Sequence, residues 1–376
     1  MSDAIDAIHP CIRRIAITTG GGDAPGLNAV ACAVTLAALR LGWGCVGIRD
    51  GYDGLLRPER YPAGGLLALT RERVEGITGL GGTLLGSTNK GDPFAVPTAQ
   101  ADGRVVLVDR SQALLDALAR EGIDALVAVG GDGSLAIAHR LALRGLKVVG
   151  VPKTIDNDLD RTVTTFGFDT AVGFATECID RLHTTAASHH RVLAVEVMGR
   201  YAGWIALHAG LAGGAHAILL PELPFDLAPV AEMIRQREAR GLAYSIVVVA
   251  EGAFPRGGAH ALQGPAEVGH AERLGGIGEQ VSQARARLTG KDARCVVLGH
   301  LLRGGSPTAF DRVAALRFGA AAVRALAAGQ SGVMVALDGN DVRPVPLAEV
   351  AGRIKTVPLD GDTLATARDL GICLGA

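Results

Sequence analysis

Short runs of β-branched and other apolar residues alternate with longer stretches of helical composition along most of the chain. This pattern predicts strands near residues 14–19, 46–48, 125–129, 148–151, 192–197, 217–220, 244–250, 295–298 and 333–336. It predicts helices near residues 28–41, 112–121, 135–143, 168–187, 203–211, 227–240, 275–288 and 312–328, an edge hairpin within 92–109 and an exposed insert at 255–269. Strands and helices that alternate in this way predict an α/β fold with helices wound on both faces of a parallel sheet.

Composition narrows the class of protein. The length of 376 residues favours two domains, and a hydrophobic content of 48% argues against a disordered chain. The formal net charge of −1 provides no general attraction to nucleic acid or to an anionic membrane. The six cysteines lack CxxC spacing, no secretory signal opens the chain, and the uncharged apolar run 24–39 is shorter than a membrane span. We therefore expect a cytoplasmic protein with buried, reduced cysteines and with neither nucleic acid nor a membrane as a partner.

Two glycine-rich stretches have the composition of phosphate-binding loops. Gly20, Gly21 and Gly22 separate the first strand from the first helix, an arrangement that places an anion against helix N–H groups. The alternative is a tight strand-to-helix connection, although three glycines exceed what such a turn requires. The second stretch, 79–91, contains Lys90 and either closes over a phosphate tail or is an ordinary mobile loop.

Two further polar segments follow predicted strands directly. The segment 130–134 reads GGDGS, in which glycines admit phosphate oxygens and Asp132 offers a hard oxygen ligand for Mg²⁺. The segment 152–158 reads PKTIDND, and Pro152 is expected to end its strand and pass the polar residues to a loop. In an open parallel sheet, ligands bind at this carboxyl edge. A surface turn whose Asp and Asn residues only cap backbone groups is the alternative for the second segment alone.

Together these segments resemble the phosphofructokinase family, over most of the chain. The matching motifs, in family order, are GGDAPGLNA (21–29), GGDGS (130–134), PKTIDND (152–158), MGR (198–200), EG (251–252) and LGHLLRGGSP (298–307). The resemblance implies two doubly wound, Rossmann-like parallel-sheet domains with the active site in the cleft between them. Residues 1–167 plus 302–355 would form the phosphoryl-donor domain, and 168–301 plus 356–376 the sugar-phosphate domain. The implied reaction is phosphoryl transfer to the 1-hydroxyl of fructose 6-phosphate.

The resemblance also implies a role for each matching catalytic residue. Asp156 would accept the proton of the sugar hydroxyl, a role that requires only an ionised carboxylate. Thr154 would hold the transferring phosphoryl group, Arg200 would stabilise its charge, and Gly21 completes the catalytic set. Asp132 would be the ligand of Mg²⁺, the implied metal cofactor.

The implied binding residues fall into two groups. Those for the sugar phosphate are Thr154, Ile155, Asp156, Arg191, Met198, Gly199, Arg200, Glu251, Arg294, His300 and Arg303. Those for the donor are Gly21, Gly22, Tyr52, Lys90, Gly131, Asp132, Gly133 and Ser134. Arginines suit a phosphate dianion because they bind it bidentately, and two of the sugar-phosphate contacts would come from a neighbouring subunit. Core packing is the alternative for Met198, and a structural role is the alternative for His300.

Two positions bear on the identity of the donor. Pyrophosphate-using relatives commonly carry Asp where this chain has Gly133 and Lys where it has Lys153, so the chain combines features of both branches. Glycine leaves room for a nucleotide α-phosphate, which a carboxylate would repel, and we therefore expect ATP. Pyrophosphate, or another sugar phosphate as acceptor, is the alternative.

Two departures from the family pattern concern regulation and donor binding. Cys32 and Leu36 stand where allosteric relatives carry effector-binding arginines, which makes effector control of that kind doubtful. Lys90 replaces the usual arginine of its loop and cannot make the planar fork. The resemblance implies a homodimer or homotetramer with the sugar site shared between subunits, without deciding between the two.

Overall fold

The computed structural model describes residues 12–88, 91–100, 102–262, 264, 274–289 and 293–376. Lys90, Cys11, residue 263 and residues 265–269 of the predicted insert lie outside them. The strands are β1 Arg14–Thr19, β2 Gly44–Ile48, β3 Leu66–Ala68, β4 Val96–Ala99, β5 Val105–Val108, β6 Ala125–Gly130, β7 Lys147–Pro152, β8 Val192–Val197, β9 Ala217–Leu219, β10 Ser245–Ala250, β11 Ala293–Val297, β12 Val333–Asp338 and β13 Asp341–Pro346.

The α-helices of the described residues are α1 Leu27–Arg40, α2 Asp53–Leu56, α3 Arg71–Val74, α4 Ser111–Arg120, α5 Asp132–Leu143, α6 Phe168–His189, α7 Trp204–Ala212, α8 Leu227–Ala239, α9 Ile277–Thr289, α10 Ala309–Ala327 and α11 Asp362–Asp369. Short 3-10 helices are found at Pro58–Arg60, Ile77–Gly79, Gly299–Arg303 and Leu347–Glu349. No helix of the described ranges combines the length and apolar character needed to cross a bilayer.

The chain falls into two compact units. Unit 1 comprises Met1–Lys153, Arg161–Val163 and Arg312–Arg353. Its main sheet has the order β13-β12-β7-β6-β1-β2-β3, with parallel pairing through the middle and antiparallel strands at both edges. The central strands are buried throughout β6 and nearly so in β1 and β7, as expected for strands covered on both faces.

Unit 2 comprises Thr154–Asp160, Thr164–Asp311 and Ile354–Ala376. Its four-stranded sheet has the order β11-β8-β10-β9 and is parallel in every pair. Strands β8 and β10 are fully buried, and residues from β10, α8 and α9, such as Val249, Ile234 and Ile277, pack into one core. The predicted α/β parallel-sheet architecture is therefore confirmed in both units.

The boundaries of the units differ from those expected from sequence. Residues 154–160 and 354–355 belong to unit 2, as do residues 302–311, whereas the sequence-based division placed all three segments in the donor domain. The loop that carries Asp156 therefore shares a unit with Arg200 and Glu251.

Several local predictions need correction. Helix α5 begins at Asp132, three residues before the predicted start, so the GGDGS segment includes the first helical turn. The short strand β3 and the strand β13 were not predicted, because β3 has three residues and β13 contains two prolines, which a sheet tolerates at its edge. The hairpin β4–β5 forms a separate two-stranded sheet. Of the described cysteines, Cys32 and Cys45 are buried as expected, whereas the other three are half-buried, and all five are free thiols.

Candidate active site

The first glycine loop and the start of α5 pack closely in unit 1. A Cβ added to Gly20 would lie 2.7 Å from Ser134 Oγ, and one added to Gly130 would lie 2.2 Å from Ser134 Cβ. Gly21 has a φ of 77°, which favours glycine. Glycine is therefore required on both sides of Ser134, and the exposed N–H groups at the start of α5 lie next to the glycine loop. This is the geometry of an anion site at a helix N-terminus.

Lys153 supplies a buried cation to the same loop. Its side chain is 3% exposed, and its Nζ donates a hydrogen bond to the Gly22 carbonyl. A Cβ placed on Gly21 would lie 3.6 Å from both Lys153 Nζ and Ser134 Oγ. The structure thus brings together Gly21, Gly22, Ser134 and Lys153, as expected for a phosphate-binding loop.

The second glycine-rich stretch also reaches this loop. Ser87 Oγ donates to the Gly21 carbonyl, and the Gly21 N–H donates to Thr88 O over 3.1 Å. Tyr52, in contrast, is 5% exposed, and burial raises the pKa of its hydroxyl. The structure therefore places Tyr52 in the core of unit 1.

Asp132 is the residue that fits a divalent cation in this unit. Its Oδ1 accepts a hydrogen bond from the Gly352 N–H over 3.0 Å. Among the described residues, no group of three or more His, Cys, Asp or Glu side chains could hold a metal ion. A single carboxylate fits Mg²⁺ that takes most of its ligands from substrate phosphates and water.

The loop of unit 2 that contains Asp156, predicted to be the catalytic loop, is buried and internally hydrogen-bonded. Ile155 is fully buried and Asp156 is 4% exposed. The Asp156 N–H donates to Thr154 Oγ1 over 3.0 Å, and Thr165 Oγ1 donates to Thr154 O over 2.7 Å. These bonds hold the Asp156 backbone in one position after the strand ends, as the proline in β7 predicted.

The MGR segment forms a tight turn beside this loop. Gly199 has a φ of 143°, and a Cβ there would lie 2.5 Å from Ala202 O, so only glycine fits. Arg200 has a φ of 50°, and its N–H donates to Glu251 Oε1 over 3.1 Å. The turn therefore ties Arg200 to Glu251 through the backbone.

Glu251 has a strongly altered acidity. Burial raises the pKa of its carboxyl to about 7, with a further upward contribution from the Asp156 carboxylate, while the N–H groups of Arg200 and Gly199 oppose the shift. Asp156, Arg200 and Glu251 thus lie close together in unit 2. A cluster of this kind, with a shifted pKa, is typical of functional sites.

Glu251 also lines a cavity of about 170 Å³ in unit 2. The lining residues are Glu196, Val197, Met198, Glu251, Leu274, Val297, Gly299 and His300. Met198, Glu251 and His300 were predicted to contact the sugar. Of the described residues, the predicted phosphate-binding Arg191, Arg294 and Arg303 are outside this lining, and Arg294 is exposed on the edge strand β11.

Glu196 is a cavity residue that the sequence reasoning missed. It is 2% exposed, and its carboxylate accepts hydrogen bonds from the Gly276 N–H at 3.1 Å and the Gly278 N–H at 2.8 Å. It therefore binds the start of α9. The available signal was an acid inside the otherwise apolar strand β8, since a buried carboxylate needs partners.

Comparison with known proteins assigns the chain to a family. The phosphofructokinase family model matches residues 14–326. An ATP-dependent 6-phosphofructokinase of Chloroflexus aggregans is 52% identical over 96% of this chain and 98% of its own length. A pyrophosphate–fructose 6-phosphate 1-phosphotransferase of Amycolatopsis mediterranei is 50% identical over 92% of this chain and 97% of its own length.

A solved structure is similar as well. The crystal structure of Pichia pastoris phosphofructokinase matches with a TM-score of 0.75 and 31% identity, over 90% of this chain. The match spans 35% of the Pichia chain. The fold and the matching sequences define an α/β phosphotransferase class, and the chain belongs to the phosphofructokinase family.

Proposed function

We propose that the protein transfers the terminal phosphoryl group of ATP to the 1-hydroxyl of fructose 6-phosphate, giving fructose 1,6-bisphosphate in glycolysis. The observation that carries the proposal is the cluster of Asp156, Arg200 and Glu251 next to a cavity lined by Met198 and His300. The curated relatives with this activity match nearly the full chain.

The acceptor roles follow from the chemistry of unit 2. Asp156 takes the proton of the attacking hydroxyl, and Thr154 and Ile155 hold the loop around it. Arg200 lowers the energy of the charge that develops on the transferring group. Glu251 binds a sugar hydroxyl, and Met198 packs against the apolar face of the ring. Arg191, Arg294 and Arg303 bind the 6-phosphate, with Gly199 leaving space at the turn.

The donor roles belong to unit 1. Backbone N–H groups of Gly21, Gly22, Gly131 and Gly133, together with Ser134 and Lys153, hold the donor phosphates. Lys90 is proposed as a further donor contact, whereas the burial of Tyr52 in the core of unit 1 leaves it out of this set. Asp132 would hold Mg²⁺, which when bound neutralises phosphate charge.

Gly133 supports ATP as the donor. A Cβ added there would meet no atom within 4 Å, so the space in front of the first turn of α5 is open. A nucleotide α-phosphate fits an open, electropositive helix N-terminus without like-charge repulsion.

Pyrophosphate is the second candidate donor. Its supporting observations are the buried Lys153 at the glycine loop and the 50% identity to the pyrophosphate-dependent relative of Amycolatopsis mediterranei. Lys153 is compatible with both donors, because an ammonium pairs with either phosphate chain.

A donor assay on wild type and on Gly133→Asp separates the two candidates. Wild type should turn over fructose 6-phosphate with ATP and much more slowly with pyrophosphate. The introduced carboxylate should lower kcat/KM for ATP about a hundredfold, since two like charges ~6 Å apart at an effective dielectric of ~20 repel by roughly 3 kcal/mol. The open space around position 133 means that the substitution should not disturb packing.

Gly173→Asp on α6 is the matched control. It is also a helical glycine whose added Cβ meets no atom within 4 Å, and it lies in unit 2. Its kinetics with ATP should equal those of wild type. If the wild type turns over faster with pyrophosphate than with ATP, pyrophosphate is the donor. If it turns over with neither, the proposed activity is refuted.

The proposal extends to assembly and location. We infer a cytoplasmic homodimer or homotetramer in which each sugar site includes residues of a neighbouring subunit. The exposure of Arg294 on an edge strand, outside the cavity lining of its own chain, supports this sharing. Cys32 is buried in α1, which supports the absence of effector control through that helix.

A further inference from the structure

The start of the C-terminal segment binds the catalytic loop directly in unit 2. Ile354 forms an antiparallel bridge with Leu159. The Lys355 N–H donates to Asp158 O over 2.8 Å, and Lys355 Nζ donates to Asn157 Oδ1 over 2.9 Å. Backbone and side chain of one lysine thus hold two consecutive residues of the loop.

Asn157 needs this support because of its backbone conformation. Its φ is 52°, in the left-handed region, which asparagine adopts more readily than most other residues with a side chain. Its Oδ1 also accepts the Thr165 N–H over 3.2 Å, and the residue is 4% exposed. The peptide that follows Asp156 is therefore kept in this less common conformation by hydrogen bonds to the Asn157 side chain, one of which comes from a cation.

Lys355 is in turn held by the helix that follows the Arg200 turn. Trp204, the first residue of α7, donates from Nε1 to Lys355 O over 2.8 Å. Lys355 Nζ also lies 5.5 Å from the Trp204 ring centroid, within the range of a cation–π contact. A continuous set of contacts therefore runs from the residue after Asp156 to the residue four positions after Arg200.

A shared carboxylate strengthens the same connection. Glu222 Oε1 accepts the Gly203 N–H over 2.9 Å and the Val357 N–H over 2.8 Å. It thereby fastens the C-terminal segment to the end of the Arg200 turn a second time. Burial lowers the pKa of Lys355 to about 8, while the charges of Asp158 and Asp160 act in the opposite direction. Desolvation of the ammonium is therefore unfavourable, and these two carboxylates stabilise its charged form.

We propose that Lys355 is a positioning residue for phosphoryl transfer, which sets the orientation of the Asp156 carboxylate through Asn157 and keeps it in register with the Arg200 turn through Trp204. This inference rests on the proposed function, because it presumes that Asp156 is the base. The contacts of Lys355 with the loop are to Asn157 and Asp158, so it acts on the Asp156 carboxylate through the loop. Small displacements of a catalytic base reduce the rate far more than they reduce binding.

Lys355→Met tests the proposal, since it removes the ammonium and keeps the length of the side chain. With the wild-type substrates at saturation, kcat should fall about thirtyfold, while the Kd for fructose 6-phosphate measured by calorimetry changes less than about threefold. Trp204→Phe keeps an aromatic ring at this position and loses the Nε1 donor. It should lower kcat about fivefold, because Lys355 O then loses its hydrogen bond from the indole. Because both variants act through one set of contacts, the double variant should be no slower than Lys355→Met alone.

Arg368→Met is the matched control, because it removes an exposed cation of the same C-terminal segment whose hydrogen bond, among the described residues, goes to Leu359 O. Its kcat, Kd and Tm should equal those of wild type. Three results would overturn the proposal. The first is an unchanged kcat in Lys355→Met, and the second is a fall in kcat accompanied by an equal loss of affinity for fructose 6-phosphate. The third is a double variant in which the two losses in kcat multiply. A wild-type enzyme without activity on either donor would instead refute the proposed function. If Lys355→Met does not fold, the kcat-to-Kd comparison for Trp204→Phe decides.

Discussion

At the scale of single residues, burial changes the chemistry of several polar groups that look ordinary in the sequence. Glu251 follows a strand in the same way as many surface acids do. In the fold it is half-buried beside the Asp156 carboxylate, and this partial desolvation together with the neighbouring charge raises its pKa to about 7. Its protonation state therefore changes near neutral pH, whereas an exposed glutamate is ionised throughout that range.

Glu251→Gln should make stability less dependent on pH. Because the folded-state pKa is raised, the contribution of Glu251 is fully present below the unfolded-state pKa of ~4.3 and is lost as the pH rises through 7. Glutamine mimics the protonated form, so the free energy of unfolding of the variant should exceed that of wild type by roughly 1–3 kcal/mol at pH 8, with little difference at pH 4. Denaturant unfolding at both pH values measures this.

The exposed Glu59→Gln serves as the control and should show no pH-dependent difference. A constant offset between Glu251→Gln and wild type from pH 4 to 8 would contradict the raised pKa.

At the scale of elements, the start of α5 shows where the sequence pattern and the packing disagree. The glycines at 131 and 133 favour a loop, since glycine is a poor helix former. The helix nevertheless begins at Asp132, because Ser134 packs between Gly20 and Gly130 and fixes the first turn against the glycine loop. The groups that are proposed to bind the phosphoryl donor therefore include N–H groups of the helix as well as N–H groups of the loop.

Glu196→Gln should weaken the junction between β8 and α9. The carboxylate accepts N–H groups from Gly276 and Gly278 in a buried place, and an amide accepts through only one oxygen. We expect a loss of about 1–3 kcal/mol in unfolding free energy and a higher KM for fructose 6-phosphate, because Leu274 and Glu196 both line the cavity.

Glu279→Gln is the comparison for this prediction, since Glu279 is an acid in the first turn of α9 that accepts an exposed hydrogen bond from Gln283. It should change neither quantity. Equal effects of the two substitutions would show that helix-terminal charge, and not the buried hydrogen bonds, stabilises this junction.

At the scale of the whole molecule, the length of the chain is divided between two units with separate sheets. The proposed oligomer is a further level of organisation. Its supporting observation is that Arg294 is exposed on an edge strand and outside the cavity lining. In the proposed assembly, Arg294 would complete the site of a neighbouring copy of the chain.

Mixing two inactive variants tests the shared site. Asp156→Asn lacks the proposed base and Arg294→Ala lacks a proposed 6-phosphate contact, so each alone should be nearly inactive. After co-refolding in equal amounts, a dimer with shared sites should recover about a quarter of wild-type activity, since half of the dimers are mixed and each of these has one intact site. Steady-state assays before and after mixing measure the recovery, with wild type co-refolded alone as the reference. No recovery despite mixed oligomers on mass analysis would show that each chain uses its own Arg294.

Much of the fold and part of the site followed from local sequence. The β-branched runs and their spacing predicted the parallel strands of both sheets, because the period of apolar residues is set by backbone geometry. The glycine positions and PKTIDND predicted a phosphate-binding loop and a catalytic loop for similar local reasons. The edge strands β3 and β13 were missed, since short or proline-containing strands depend on the neighbour that they pair with.

The sequence by itself thus determined the α/β class and the family, and it supplied the loop residues that are proposed to carry chemistry, because these depend on residue type and short-range spacing. Only the tertiary structure decided that Lys153 reaches Gly22, that Glu251 is half-buried beside Asp156, that Glu196 binds the start of α9 and that Lys355 holds Asn157. The hydrogen bonds among these contacts join residues 82 to 198 positions apart in the chain. Neither separation nor burial is encoded in any local pattern, since both arise when the sheets and their helices pack together.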